Sequence, residues 1–178
     1  GGSWGVTLAR LLAENGHAVR LWDYDPAVRT AVRETRGNAR CLPGVILPAA
    51  VAVIDGPEAA AGCTGAVLAV PSVAVGATAR QFRPALAAAA WTVSASKGLE
   101  GGTLRRLSEV IAAAAGCDPA RVGALSGPSH AEEVSAGLPT SVTLAFADLA
   151  LAGAVREFFA TPYFRVYTND DLAGVELG

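Results

Sequence analysis

Methionine is absent from this chain, and lysine occurs only once, as Lys97, among 14 basic residues. Charged residues make up 17% of the sequence, below the usual quarter, and the formal net charge is −2. Such a chain has no basic field to attract nucleic acid or an anionic membrane surface, so we expect neither partner. Its apolar runs stay well short of the ~20 residues that a membrane span requires, so we also expect no span.

Cysteine is scarce, and Cys41, Cys63 and Cys117 are widely spaced with no CxxC pair. This usage is typical of small buried thiols in a reducing compartment, and it argues against disulfides or a zinc site. We therefore expect no metal site. Because no signal peptide is visible, we also expect a cytoplasmic protein. Because the chain does not begin with Met, we also expect it to be a piece of a longer protein.

Short apolar runs of strand type alternate with longer helical patterns along the chain. The pattern predicts strands over 18–22, 51–54, 66–70, 92–96, 122–125, 141–145 and 164–167. It predicts helices over 6–15, 26–36, 73–82, 103–115, 129–136 and 149–159. Strand–helix alternation of this kind indicates an α/β fold of the Rossmann type, with a doubly wound, mainly parallel sheet and helices on both faces.

Glycines stand directly before the first predicted helix. Gly2 and Gly5 match the second half of the G-x-G-x-x-G pattern, in which glycine lets the backbone approach a pyrophosphate at a helix N-terminus. Asp23 follows the next strand, 18 residues after Gly5, near where an acidic residue holds a ribose 2′-hydroxyl. The alternative is an ordinary glycine-rich turn. The first glycine and the strand before it are missing, so we expect an unpaired position at the sheet centre.

Two carboxylates flank Tyr24 in the segment that distinguishes NAD from NADP. Asp23 and Asp25 would repel a 2′-phosphate, which favours NAD(H) over NADP(H). The preference is modest, because Arg20 and Arg29 are close in sequence and could still reach such a phosphate. Asp25 also precedes Pro26, a pairing typical of a helix N-cap and first turn.

Two further segments follow predicted strands. Lys97 carries a compact ammonium that could place a point charge on a substrate oxygen or phosphate, although a surface lysine is the alternative. Gly127 fits a backbone that must approach a ligand closely. Ser129, with Glu132 three residues on, predicts a capping box, and capping alone or a substrate contact both remain open.

Taken together, these motifs closely resemble those of bacterial NAD(P)-dependent sn-glycerol-3-phosphate dehydrogenases. The resemblance covers essentially the whole chain, in the family's order and spacing. Its motifs are Gly2-Ser3-Trp4-Gly5, Leu21-Trp22, Asn38 with Leu42-Pro43 and Leu47-Pro48, Val70-Pro71-Ser72, Lys97-Gly98-Leu99-Glu100, Leu125-Ser126-Gly127-Pro128-Ser129 with Ala131 and Glu133, Phe164-Arg165-Val166-Tyr167-Thr168, Asp171, and Gly174-Val175-Glu176-Leu177-Gly178.

The resemblance implies an enzyme that reduces dihydroxyacetone phosphate to sn-glycerol 3-phosphate with NADH or NADPH, for glycerophospholipid synthesis. It also implies a possible homodimer. By matching positions, Lys97 would touch both cofactor and substrate. The implied dinucleotide contacts are Ser3, Trp4, Tyr24, Asp25 and Ala131, and they add to Gly2, Gly5 and Asp23 of the glycine motif. The implied substrate contacts are Gly127 and Ser129.

The resemblance further implies that residues 1–168 form a dinucleotide-binding domain and that residues 169–178 begin a helical C-terminal domain. The family's general acid/base lysine would lie beyond Gly178, so we expect this piece alone to be inactive. Two alternatives remain open. One is another two-domain Rossmann dehydrogenase acting on a hydroxyacid or a ketopantoate-like substrate, and the other is a stand-alone dinucleotide-binding, redox-sensing module.

Overall fold

A computed structural model describes all 178 residues. The strands are β1 (Val19–Leu21), β2 (Val51–Val53), β3 (Gly65–Leu68), β4 (Trp91–Ser94), β5 (Val122–Ser126), β6 (Thr140–Ala145) and β7 (Phe164–Asn169). The α-helices are α1 (Ser3–Glu14), α2 (Pro26–Thr35), α3 (Ser72–Gln81), α4 (Arg83–Ala88), α5 (Leu107–Ala115), α6 (Ala131–Ser135), α7 (Leu149–Phe159) and α8 (Leu172–Leu177). Short 3₁₀ helices cover Pro57–Ala60 and Pro119–Arg121. All seven predicted strands are therefore present.

The strands form two sheets. β1 and β2 pair in parallel, with Val19 opposite Val51. The other five strands pair in the order β3-β4-β5-β6-β7, and every pair is parallel except β5 with β6. The mainly parallel α/β architecture is thus confirmed, with the strands divided between two sheets.

Helices cover both faces of the five-stranded sheet. One cluster of 15 buried residues joins α1 and α7 to the sheet, and a second of 11 joins it to α3, α4 and α5. Val67 packs against the first cluster and Leu68 belongs to the second. Because successive side chains of a strand point to opposite faces, the two clusters lie on opposite sides. A third cluster joins α1 and α2 to β1 and β2.

Two helices begin later than predicted, and a local contact explains the first. α5 begins at Leu107 rather than near 103, because the preceding residues form a turn closed by a bridge between Leu99 and Arg106. α6 is only Ala131–Ser135, and its N-cap is His130 without a side-chain cap. The capping box predicted at Ser129 and Glu132 is therefore wrong.

Other elements also depart from the prediction. α1 begins at Ser3, three residues before the predicted start, with Gly2 as its N-cap. α7 has the predicted bounds, and α4 and α8 were not predicted. None of these helices has both the length and the apolar character that crossing a membrane demands.

Candidate functional site

Lys97, Gly127 and Ser129 lie together at one edge of the sheet. The Lys97 ammonium donates a hydrogen bond of 2.9 Å to the carbonyl oxygen of Gly127, and the Ser129 hydroxyl donates to the same oxygen at 3.4 Å. The contact forms because β4 and β5 are neighbouring parallel strands, so their carboxyl ends meet at one edge of the sheet. The Lys97 side chain is exposed at that edge.

Gly127 is required by its neighbours within the protein. Its φ is +149°, and a Cβ there would lie 3.0 Å from the Cα of Val142 and 3.1 Å from the carbonyl oxygen of Ser141. Both of those residues belong to β6. The need for glycine therefore arises from crowding by the antiparallel strand, whether or not a ligand also approaches.

A cavity of about 210 Å³ lies beside Lys97. Its wall includes Ser96, Gly98 and Ser126 from the ends of β4 and β5, and Glu176 and Leu177 from α8. The Ser96 hydroxyl accepts from the backbone N–H of Val70 at 3.2 Å, which ties the end of β3 to the end of β4. The cavity thus lies where the parallel strands β4 and β5 end, covered on one side by α8.

The glycine-rich start leaves the N-terminus of α1 open. Gly2 has no side-chain cap, and a Cβ built on it would meet no atom within 4 Å. The first N–H groups of a helix have no acceptor inside the helix, so they are available to an anion. A Cβ on Gly5 would lie 3.9 Å from that of Ala69, which brings this end of α1 against the end of β3.

Asp23 lies beside the glycine-rich start, as its spacing predicts. One carboxylate oxygen is 3.2 Å from the nitrogen of Gly1, and the other accepts from the N–H of Asp25 at 2.9 Å. Asp25 accepts from the N–H of Ala27 at 2.8 Å, which confirms it as the N-cap of α2. Tyr24, between them, is 81% exposed.

The arginines near this segment are all engaged by protein groups. Arg29 donates to the carbonyl of Asp23 at 2.7 Å and lies 3.4 Å from Asp55. Arg33 lies 2.8 Å from the same carboxylate, and its hydrogen bond is the main cause that holds the pKa of Asp55 below its ordinary value. Arg20 points elsewhere and donates to the carbonyls of Ala59 and Ala61. Arg20 and Arg29 are thus both held by protein groups.

Two other predicted contacts lie between α1 and its neighbours. Trp4 is half-buried and tilts against Phe164, with ring centroids 6.4 Å apart. Ala131 is buried, and its carbonyl accepts from the Thr7 hydroxyl at 3.2 Å. Ser3 opens the helix, and its carbonyl accepts from the same hydroxyl at 3.0 Å. These residues join α1 to α6 and β7, beside the open helix end.

Two residues near the site had no role assigned from the sequence. The Asn38 amide donates to the carbonyl of Gly1 at 2.8 Å. The Glu176 carboxylate, 5% exposed, accepts from the N–H and hydroxyl of Ser108 at 2.8 and 2.6 Å, and Arg106 lies 3.5 Å away. Both contacts are long-range. The available signals were an asparagine ahead of Leu42-Pro43 and a lone carboxylate in an apolar segment.

An open helix N-terminus and a carboxylate at the end of β1 adjoin the carboxyl ends of parallel strands covered by helices on both faces. This arrangement defines the class of Rossmann-type α/β domains. Residues 1–152 match the family model described as "NAD-dependent glycerol-3-phosphate dehydrogenase N-terminus". The chain belongs to this glycerol-3-phosphate dehydrogenase family.

Curated relatives of the chain are named as glycerol-3-phosphate dehydrogenases. The chain is 49% identical to a glycerol-3-phosphate dehydrogenase [NAD(P)+] of Moorella thermoacetica, over 99% of this chain and 52% of that protein. It is 45% identical to the protein of that name from Geobacter metallireducens, over 99% of this chain and 53% of that protein. The chain thus spans about half the length of these relatives.

Solved structures agree on the fold. Glycerol-3-phosphate dehydrogenase from Coxiella burnetii superposes with a TM-score of 0.89 and 36% identity, over 99% of this chain and 54% of that one. A UDP-D-ManNAc dehydrogenase from Pyrococcus horikoshii superposes with a TM-score of 0.75 and 13% identity, over 98% of this chain and 46% of that one. At that low identity, the second match bears on the fold alone.

Proposed function

We propose that this chain is the dinucleotide-binding part of an NAD(P)-dependent sn-glycerol-3-phosphate dehydrogenase. The reaction interconverts dihydroxyacetone phosphate and sn-glycerol 3-phosphate and supplies the backbone of glycerophospholipids. The observation that carries this proposal is 49% identity, across 99% of the chain, to an enzyme of that name. The position of Lys97 beside a cavity at the strand ends supports it.

The residues present fit a dinucleotide. The open end of α1 at Gly2, Ser3 and Gly5 would take the pyrophosphate, and Asp23 would accept from a ribose hydroxyl. The bound nicotinamide supplies or accepts the hydride. We further propose a preference for NAD(H), because Asp23 and Asp25 place negative charge at this ribose.

Lys97 would bind the substrate and stabilise its charge. Its ammonium is held at the end of β4 by the carbonyl of Gly127, and it could also donate to a substrate oxygen as negative charge develops there. Gly127 and Ser129 would line the same pocket. The chain spans about half the length of its relatives, so we assign the proposed catalytic activity to a longer protein that contains it, in which the resemblance implies a general acid/base lysine outside residues 1–178.

Several organisational proposals accompany this function. Residues 1–168 would form the dinucleotide-binding domain, and residues 169–178 would begin a second, helical domain. A cytoplasmic location is supported by the three unpaired cysteines. A homodimer rests on the resemblance alone. The net charge of −2 supports a protein without a nucleic-acid partner.

The test uses the gene product that contains this chain, with dihydroxyacetone phosphate and either NADH or NADPH, and follows the loss of reduced-cofactor absorbance. We expect oxidation by the wild type and a loss of about 100-fold or more in kcat for Lys97→Ala. Lys97→Arg should remain impaired, because a planar guanidinium cannot replace a compact ammonium.

Arg121→Ala is the matched control, since Arg121 is an exposed cation of the 3₁₀ helix Pro119–Arg121. It should retain wild-type rates. If the folded wild type bound NADH but did not oxidise it with any keto substrate tested, the dehydrogenase proposal would fail in favour of a binding module. Oxidation with a different keto substrate would instead indicate another two-domain dehydrogenase.

A further inference from the structure

The segment between α2 and β2 lies against the glycine-rich start. It contains no helix or strand from Gly37 to Ala50. Leu42 and Leu47 anchor it, since each is 2% exposed in the apolar cluster that includes Val6 and Ala9 of α1. The segment is thus fixed to the helix whose N-terminus is open.

Asn38 makes the polar contact between this segment and the glycine-rich start. Its side-chain amide donates to the carbonyl oxygen of Gly1 at 2.8 Å. The thiol sulfur of Cys41 lies 4.0 Å from the same oxygen, so the amide is the stronger donor. The Gly1 carbonyl is therefore held toward the segment.

The geometry of the peptide unit carries this contact to the other side of the backbone. The Gly1–Gly2 peptide is trans, since the chain has no cis peptide bond. In a trans peptide the C=O and N–H groups point in opposite directions. With its carbonyl bound by Asn38, this peptide directs the N–H of Gly2 away from the segment.

The N–H of Gly2 has no acceptor within the protein. Gly2 is also exposed and has open space around its Cα. An exposed, unpaired N–H beside a helix N-terminus is suited to an anionic oxygen. Its direction depends on the Asn38 contact described above.

We propose that Asn38 is a positioning residue for the pyrophosphate of a bound dinucleotide. By fixing the Gly1–Gly2 peptide, Asn38 holds the N–H of Gly2 in the direction from which it donates to a phosphate oxygen. This inference rests on the proposed function, because it requires a dinucleotide at the end of α1. It assigns a purpose to an asparagine that does not itself touch the ligand.

The test compares ligands with and without phosphate. Calorimetric titration of the gene product that contains this chain would use ADP-ribose and adenosine as separate ligands. Asn38→Ala removes the donor, and Asn38→Asp replaces it with an oxygen that repels the Gly1 carbonyl. We expect both variants to bind ADP-ribose roughly tenfold more weakly, as for the loss of one hydrogen bond to a charged group. Adenosine affinity should change less than about twofold, because adenosine has no phosphate.

Asn15→Ala is the matched control. The Asn15 amide also donates to backbone carbonyls, those of Phe158 and Ala160 at 3.0 and 3.1 Å, but at the far end of α1. It should leave both affinities unchanged. A second readout is the amide resonance of Gly2 in isotope-labelled protein, which should shift on adding ADP-ribose in the wild type and much less in Asn38→Asp.

The outcomes separate the two proposals. Unchanged ADP-ribose affinity in a folded Asn38 variant, or equal weakening of both ligands, would overturn the positioning role and leave the proposed function intact. A lower thermal midpoint with unchanged affinities would show that Asn38 only anchors the segment. If folded wild type bound neither ADP-ribose nor NADH, the proposed function would fail and this inference with it.

Discussion

The ammonium of Lys97 lies 2.9 Å from the carbonyl oxygen of Gly127, so two neighbouring strand ends share one hydrogen bond. The only lysine of the chain is thus held in place by a backbone group. The ammonium has three N–H donors and the side chain is exposed, so it can still donate to a ligand. The chemistry at this edge therefore depends on the position of Gly127 as much as on Lys97.

Gly127→Ala should destabilise the protein by about 2 kcal/mol. The substitution puts a Cβ at a φ of +149° and 3.0 Å from the backbone of Val142, so it combines backbone strain with steric overlap. Urea unfolding at equilibrium measures the change in the free energy of unfolding.

Gly153→Ala is the control for that substitution. Gly153 lies within α7, and a Cβ there meets no atom within 4 Å. Alanine should therefore stabilise this helix by up to ~1 kcal/mol. Equal effects of the two substitutions would contradict the argument for Gly127.

Glu176→Ala should lower the free energy of unfolding by about 2 kcal/mol. The loss of the carboxylate leaves the N–H and hydroxyl of Ser108 without an acceptor, and Ser108 is 4% exposed. Thermal or urea unfolding would measure the effect. Glu157→Ala, at a side chain 70% exposed, should change stability by less than ~0.5 kcal/mol.

Asp23→Asn should raise the affinity for NADPH relative to NADH by roughly fivefold, as for the removal of about 1 kcal/mol of charge repulsion. The amide oxygen can still accept from the N–H of Asp25, so the local turn should persist. Titration with each cofactor gives the ratio. The control is Asp148→Asn, at the N-cap of α7, which should leave the ratio of the two affinities unchanged. An unchanged ratio in Asp23→Asn would disprove the proposed NAD preference.

Stability should fall at alkaline pH because of Tyr163. Burial, and next a hydrogen bond of 3.0 Å to Glu14, raise the pKa of this phenol above 10.0. A folded-state pKa above the unfolded value gives stability that is complete below pH ~10 and is lost as the pH rises through the folded pKa. Unfolding measured across this range should show the loss.

Tyr163→Phe should remove this part of the alkaline loss. Glu14→Gln should remove only a fraction of it, because burial, the largest single cause of the raised pKa of Tyr163, would remain. If the alkaline loss in Tyr163→Phe equalled that of the wild type, Tyr163 would not be its source.

The elements that could be predicted from the sequence are those with strong local signals. Apolar runs locate all seven strands, and helix α7 starts after Asp148 as its pattern predicts. The start of α5 could not be predicted, because the bridge between Leu99 and Arg106 competes with helix formation there. The capping box at Ser129 failed because that hydroxyl binds the carbonyl of Gly127 instead.

The same distinction applies to the site. Asp23 and Lys97 could be located from strand ends and spacing, since parallel strands place their carboxyl ends at one edge. Asn38 and Glu176 could not be assigned, because their partners are 37 and 68 residues away in the chain. A side chain whose role is to orient a distant backbone group leaves no periodic pattern in the sequence.

The single antiparallel neighbour of the sheet has a consequence for how the site can vary. Val142 of β6 does not line the cavity beside Lys97, yet its backbone packs directly against Gly127. A shift of β6 would move the carbonyl of Gly127, and the Lys97 side chain that donates to this carbonyl would change its orientation. Substitutions that displace β6 can therefore change the orientation of Lys97 without replacing any residue that lines the cavity.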